Sequence, residues 1–326
     1  MASGTLGAAG AAAAPALAPS IKTDPATLIQ YAKLVKLAED VPPGQTIYTP
    51  GKLIPVSYDA INITYTAVAT FYGNDLATEA NPARAAQIVS FGFVCQDPAG
   101  NVVVAIRGTE GIFEWLQDAR FLAIPCPILP GAGFSEDGFT AVYESLRQTA
   151  DPHSARLAGI LPSLPYPNPV KSLTICGHSL GGALATLFAL DVAAHQTANA
   201  AAAAAAGAGA IGAGASAGAA STLMPAPTVY TYASPHTGDA SFVDTYNQLV
   251  PKTCRVTNRL DIVPKVPLPP PYQHVAQPFE LNPKLEVKTD VLCEHHLTSY
   301  MFLLSKLGGG TVLPLDAGCG GLVPKL

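Results

Sequence analysis

Leu173-Thr174-Ile175-Cys176-Gly177-His178-Ser179-Leu180-Gly181-Gly182-Ala183 decides how this chain reads. An apolar run leads straight into Gly-x-Ser-x-Gly. Small and apolar residues follow at helical spacing, through Thr186, Leu187, Phe188 and Leu190. Strand, sharp turn and helix, in that order, make the setting a nucleophile elbow needs. In so tight a turn Ser179 takes strained backbone angles. Gly177 and Gly181 are required because a side chain at either position would strike the neighbouring strand or helix. The hydroxyl then stands above the sheet at a helix N-terminus, whose free N–H groups favour developing negative charge. The five-residue pattern is not enough by itself. Gly214-Ala215-Ser216-Ala217-Gly218 has the same spacing, but it lies in an Ala/Gly tract with no strand before it and no amphipathic helix after it. That second match is composition.

Outward from the elbow, short apolar strands alternate with helices. Leu28, Tyr31, Leu34, Val35 and Ala38 form one stripe of a helix within 21–40, which Pro42-Pro43-Gly44 ends. Residues 61–71 read as either helix or strand. Two apolar runs, 88–95 and 102–106, are joined by Asp97-Pro98-Ala99-Gly100-Asn101, a hairpin signature. A helix is expected over 139–149, a buried strand over 170–176 and the elbow helix over 179–195. Further on come a strand at 228–233, a helix at 242–249, a strand at 254–257 and a helix at 297–307. That order implies one α/β domain over about 21–310: a mixed, mostly parallel sheet with helices on both faces. The Ala/Gly/Pro-rich leader 1–20 is expected to be disordered. An Ala/Gly-rich insert over about 198–222 is expected to loop into solvent, and 311–326 is a tail.

Composition limits the classes of function. With 326 residues, 49% of them hydrophobic, the chain can bury a large core. A formal net charge of -5 and the lack of any basic block argue against nucleic acid as a partner. The Ala/Gly tract carries too little transfer energy for a transmembrane segment. The N-terminus lacks the basic and strongly apolar regions of a signal peptide. The six cysteines make no Cys-x-x-Cys motif. Cys95 and Cys176 read as small buried hydrophobes. In an oxidising compartment Cys254 with Cys293, or Cys126 with a tail cysteine, are open pairings.

A serine hydroxyl is a weak nucleophile at neutral pH. It needs an imidazole base, and the imidazole needs a carboxylate to hold its tautomer and offset its transient charge. In this sheet type the order along the chain is serine, acid, histidine. Asp261 follows a strand and precedes a Pro-rich loop, at the carboxyl edge of the sheet where ligands bind; Asp239, Asp244 and Asp290 compete with it. His274, His295 and His296 lie downstream, and the last two directly precede a helix. The pair also raises metal binding, with Glu294 adjacent, but no third zinc ligand stands at suitable spacing. The oxyanion needs two donors. One is the N–H of Leu180; Thr109, at the end of the 102–106 strand, is a candidate for the other.

Taken together, these blocks resemble the class 3 lipase family of α/β-hydrolases. The resemblance rests on Val104-Ala105-Ile106-Arg107-Gly108-Thr109, Trp115-Leu116-Gln117-Asp118, Gly138-Phe139, the elbow, Tyr232-Ala233-Ser234-Pro235-His236-Thr237-Gly238-Asp239, and Asn258 through Pro264, all in family order. It implies an α/β-hydrolase fold with a lid over about 110–135, in which Trp115 is the lid tryptophan. It implies Ser179 as nucleophile, Asp261 as acid, and Thr109 with Leu180 at the oxyanion. His-x-Leu-x-x-Tyr in many relatives fits His295, Leu297 and Tyr300; a shorter form of the pattern selects His296 as the alternative base. One departure is Asp137 before Gly138, where fungal members carry His-x-Gly-Phe. The activity implied is hydrolysis of acylglycerols by a serine esterase without metal or cofactor. Soluble or feruloyl-type esters and phospholipase A1 chemistry are the alternatives, and a non-catalytic lipid-binding module is a rival from another class. The implied partner is a lipid or ester, met at a lipid–water interface.

Overall fold

The computed structural model describes residues 21–42, 45–74, 88–109, 121–149, 151, 153–209, 224–284 and 286–321. The expected hairpin is its seed. Strand β3 (Ile88–Gln96) and β4 (Asn101–Ile106) pair antiparallel, with Val102, Val104 and Ile106 fully buried. Asp97 closes the turn by accepting from the Asn101 N–H at 2.9 Å and from its side-chain amide at 2.8 Å. The ambiguous stretch resolves as a long strand, β2 (Ile61–Asn74), which pairs with β3 and with β1 (Leu53–Tyr58). Its Thr, Ile, Tyr and Val side chains favour the pleated conformation over helix.

β1 goes beyond the elements expected from sequence. Pro55 interrupts its run and speaks against a central strand, but β1 lies on the sheet edge, where a missing N–H is tolerated. After β4 the sheet turns parallel. β7 (Ser172–His178) lies between β4 and β8 (Pro227–Tyr232), followed by β10 (Thr253–Asn258) and the edge strand β12 (Pro278–Leu281). The eight-stranded order is β1-β2-β3-β4-β7-β8-β10-β12. A second, small antiparallel sheet holds β5 (Ala123–Pro125), β6 (Phe134–Glu136), β9 (Gly238–Asp239) and β11 (Tyr272–Gln273).

Helices cover both faces. On one lie α2 (Asp137–Ser145), α3 (Leu157–Ile160), α4 (Leu180–Gly209) and α5 (Ala240–Leu249). On the other lie α1 (Pro25–Glu39) and α7 (Leu297–Gly308), preceded by the five-residue α6 (Val291–His295). α1 starts where its caps dictate: Asp24 accepts from the Thr27 N–H at 2.9 Å and Pro25 occupies the first turn. Leu28, Leu34, Val35 and Ala38 of its expected stripe are fully buried, and Tyr31 stacks on Tyr230 with ring centroids 4.6 Å apart.

Two expectations need correction here. The elbow helix does not stop at His195 but continues to Gly209, through the first part of the stretch expected to loop out. Alanine is the strongest helix former, so the run propagates a helix already nucleated on the core, even where side chains such as Ala198 and Ala200 are exposed. The rest of that insert, including the second Gly-x-Ser-x-Gly match, lies outside the described residues, as do the leader 1–20 and Trp115. The cysteine pairing also differs. Cys293 bonds Cys319, with Cα atoms 5.2 Å apart, while Cys126 and Cys254 are free and buried. The tail makes this bond possible by folding back beside α6: the Lys288 N–H donates to the Cys319 carbonyl at 2.9 Å, and Gly320 bridges to Val287.

Candidate active site

The turn after β7 leaves no room for side chains. A Cβ on Gly177 would stand 2.0 Å from the Gly181 carbonyl oxygen, and one on Gly181 would stand 2.4 Å from that of Arg107. Ser179 is forced to a left-handed φ of 57°, a conformation that costs a non-glycine residue free energy and persists only where the surroundings enforce it. They do so by hydrogen bonds on both sides: the Ser179 N–H donates to the Tyr232 carbonyl at 2.9 Å, and the Ser179 carbonyl accepts from the Gly182 N–H at 2.8 Å. Leu180 then opens α4, where its N–H is among those without an intrahelical partner.

Ser179 Oγ lies 2.9 Å from His295 Nε2, and His295 Nδ1 lies 2.9 Å from Asp261 Oδ2. All three are buried, Asp261 completely. The partners decide the tautomer. The carboxylate can only accept, so Nδ1 carries the proton; Nε2 is left with a lone pair toward a hydroxyl that can donate. Burial pulls the His295 pKa below its ordinary value and the nearby His178 ring adds to this, against the opposing pull of Asp261. A ring held neutral in this way can take a proton.

Asp261 is held on every side. Its Oδ1 accepts from the Val263 N–H at 2.9 Å, and its Oδ2 also accepts from the Tyr300 hydroxyl at 2.8 Å. That hydroxyl in turn accepts from the Asn258 N–H at 3.0 Å. The Asn258 amide donates to the Glu294 carbonyl at 2.8 Å, which ties the end of β10 to α6. The sequence marked Tyr300 only through a family pattern and did not mark this use of Asn258. The signal was the apolar spacing that puts Tyr300 on the buried face of α7.

The competing residues are placed elsewhere. His296 Nδ1 pairs with Asp316 at 2.9 Å on the surface and does not approach the serine. His274 bonds the Pro264 carbonyl and stacks on His236, with ring centroids 3.8 Å apart. Asp239 and Asp290 cap α5 and α6 through the Phe242 and Leu292 N–H groups, and Asp244 is exposed on α5. Among the described residues no group of three or more His, Cys, Asp or Glu could hold a metal ion. Glu136 caps α2 by accepting from the Phe139 N–H at 2.7 Å.

Thr109 follows β4 in the loop against the elbow. At Gly108 a Cβ would come within 3.1 Å of Ser179 Cβ, so the Gly108-Thr109 backbone runs directly past the nucleophile turn. Of the expected lid, 110–120 lies outside the described residues. Residues 121–135 carry β5, the start of β6 and the turn between them; Cys126, Ile128 and Ala132 are in the core, while Leu122 and Phe134 are exposed.

The family model "Lipase (class 3)" matches residues 103–270. Phospholipase A1-II 6 of Oryza sativa subsp. japonica is 31% identical over 229 residues, covering 64% of this chain and 52% of that protein. Phospholipase A1-II 3 of Oryza sativa subsp. indica is 33% identical over 180 residues, covering 51% and 38%. The chain thus spans about half the length, or less, of these curated relatives. Among solved structures, the nonglycosylated LIP2 lipase of Yarrowia lipolytica aligns with a TM-score of 0.52 at 20% identity, over 87% of this chain and 88% of that one, and shares the fold. With its model matched over just over half of the residues, the elbow among them, the chain belongs to the class 3 lipase family.

Proposed function

We propose that the protein is a serine hydrolase of acylglycerol-type lipid esters. The observation that carries this reading is the continuous path Ser179 Oγ–His295–Asp261, with both links at 2.9 Å. Ser179 attacks the ester carbonyl while His295 Nε2 takes its proton. Asp261 stabilises the imidazolium that forms. The Leu180 N–H and Thr109 hold the oxyanion. His295 then gives its proton to the departing alcohol, leaving the acyl group on Ser179. Water, deprotonated by the same ring, hydrolyses that acyl-enzyme.

Exposed apolar side chains next to the site support a lipid substrate. Leu260 and Ile262 flank Asp261 and are 42% and 40% exposed; Leu292, shortly before His295, is 53% exposed. Side chains of this kind gain by facing acyl chains instead of water. The names of the relatives favour a finer reading, phospholipase A1 action on a glycerophospholipid, over triacylglycerol hydrolysis. An apolar lid over 110–135 would restrict turnover to lipid surfaces.

The test offers phosphatidylcholine and a triacylglycerol separately, in mixed micelles, with a fluorophosphonate probe as a label. Wild type is expected to label and to release fatty acid, and Ser179→Ala to do neither, with turnover down by several orders of magnitude. Hydrolysis that survives Ser179→Ala rejects the reading. Release from the triacylglycerol alone removes the phospholipase A1 refinement.

A further inference from the structure

The elbow contains a second histidine, and the mechanism above gives it nothing to do. His178, between Gly177 and Ser179, turns away from the serine toward α1 and is 6% exposed. Its Nδ1 lies 2.8 Å from Glu39 Oε1 and its Nε2 lies 2.9 Å from the main-chain carbonyl of His295. A carbonyl oxygen and a carboxylate oxygen can only accept. A neutral imidazole has one N–H, so in either tautomer one ring nitrogen would point its lone pair at an oxygen under 3 Å away. Only a ring with two N–H groups satisfies both contacts.

We propose that His178 is a buried imidazolium, paired with Glu39, and that the pair acts as a positioning device for the base: it holds His295 by its backbone and sets a fixed positive charge beside its ring. The inference rests on the reading of Ser179 and His295 as nucleophile and base. Three further observations agree with it. Burial alone would lower the His178 pKa, yet Glu39 and the bond to the His295 carbonyl outweigh it, and the net direction is upward. Glu39 is held below the usual carboxylate range despite burial, by His178 first, then Lys36 and the Gly108 N–H. The Gly108 contact ties the same carboxylate to the loop that carries Thr109. The other charged or titratable groups around this cleft are Lys36, Arg107, His296 and Asp316, with Asp261 behind His295.

The consequence is electrostatic as well as steric. The His178 and His295 ring centroids are 4.8 Å apart. A resident cation at that distance opposes a second positive charge on His295. It keeps the base neutral to lower pH, and it favours prompt return of the proton to the departing alcohol. Glu39 and Asp261 flank the two rings on their outer sides, so each cation in the transition state keeps its own carboxylate partner.

The experiment is 15N NMR of the full chain with labelled histidine rings at pH 7.5, with His178 assigned by its loss in His178→Asn. Both ring nitrogens of His178 are expected in the protonated range, against one in His295. A singly protonated His178 in wild type overturns the proposal. In Glu39→Gln, which keeps the shape and removes the anion, His178 is expected to lose one proton. kcat on the ester substrate should fall about 10²-fold with KM nearly unchanged, because only the alignment of reacting groups is disturbed. Wild-type kcat in a folded Glu39→Gln removes the positioning role; if that variant does not fold, His178→Asn takes its place in the kinetics. Ser179→Ala is run alongside. Hydrolysis that persists there defeats the nucleophile reading, while the ring protonation result still decides the ion pair.

Discussion

The two ends of the Ser179–His295 hydrogen bond are built in opposite ways. Ser179 sits where three central strands, β4, β7 and β8, meet the first turn of α4, and its position follows from backbone crowding. Atoms that would collide with any side chain at Gly177 or Gly181 are main-chain oxygens, which cannot move aside. His295 ends a five-residue helix outside the sheet, next to the exposed Val291 and Leu292. So short a helix has no stability of its own. It is held by separate fasteners: the Cys293–Cys319 bond, the Asn258 amide on the Glu294 carbonyl, Asp261 on the ring, and His178 on the His295 carbonyl. One partner is placed by main-chain crowding where the central strands meet the first turn of α4. The other is placed by contacts gathered from the whole chain, and it is the end that substitutions can loosen without destroying the fold.

The sharpest way to break this contrast is at the paired histidines. His295→Ala should cost about 10⁴-fold or more in kcat/KM, because base and nucleophile act as a unit. His296→Ala should stay within a few-fold, since it removes contacts to Asp316 and to the Cys319 sulfur but none to Asp261; steady-state kinetics on one ester substrate compares the two. A large loss at His296 would mean that the roles are reversed. Next in size, Thr109→Val should lower kcat by roughly 10²–10³-fold with little change in KM, as expected for a donor that engages only the oxyanion. A mild effect would move that donor elsewhere. Smallest for activity is the disulfide. Its removal by Cys293→Ser with Cys319→Ser frees a loop with a sequence separation of 26 residues. Unfolding free energy should drop by about 3.5 kcal/mol on the chain-entropy account, measured by denaturant titration. kcat and the rate of fluorophosphonate labelling at Ser179 should fall together, because the loosened end carries the ring that activates the serine in both reactions.

Much of the fold was legible because it depends on near neighbours. The β3–β4 hairpin follows from two β-branched runs around Asp97 and Gly100. α1 follows from its apolar stripe. What could not be read had physical causes of two kinds. β1 and β12 carry prolines that argue against strands, and only their places on the sheet edges make them acceptable. The length of α4 was misjudged because an alanine run looks like low complexity in isolation, yet it continues as helix once the core has nucleated the first turns.

By itself, the sequence determined that a serine would be held on a glycine-walled bend between a buried strand and a helix, since only glycine leaves room for so tight a turn. It put Asp261 forward as a candidate carboxylate by its position after a strand, with Asp239, Asp244 and Asp290 in competition, and the family resemblance favoured it. Only the tertiary structure brought the ring of His295, and not that of His296, to 2.9 Å from Ser179 Oγ, chose Cys319 as the partner of Cys293, and brought Glu39 to His178 across a separation of 139 residues. Those outcomes turn on which groups far apart in the chain come within 3 Å of one another, and packing of whole helices sets that distance.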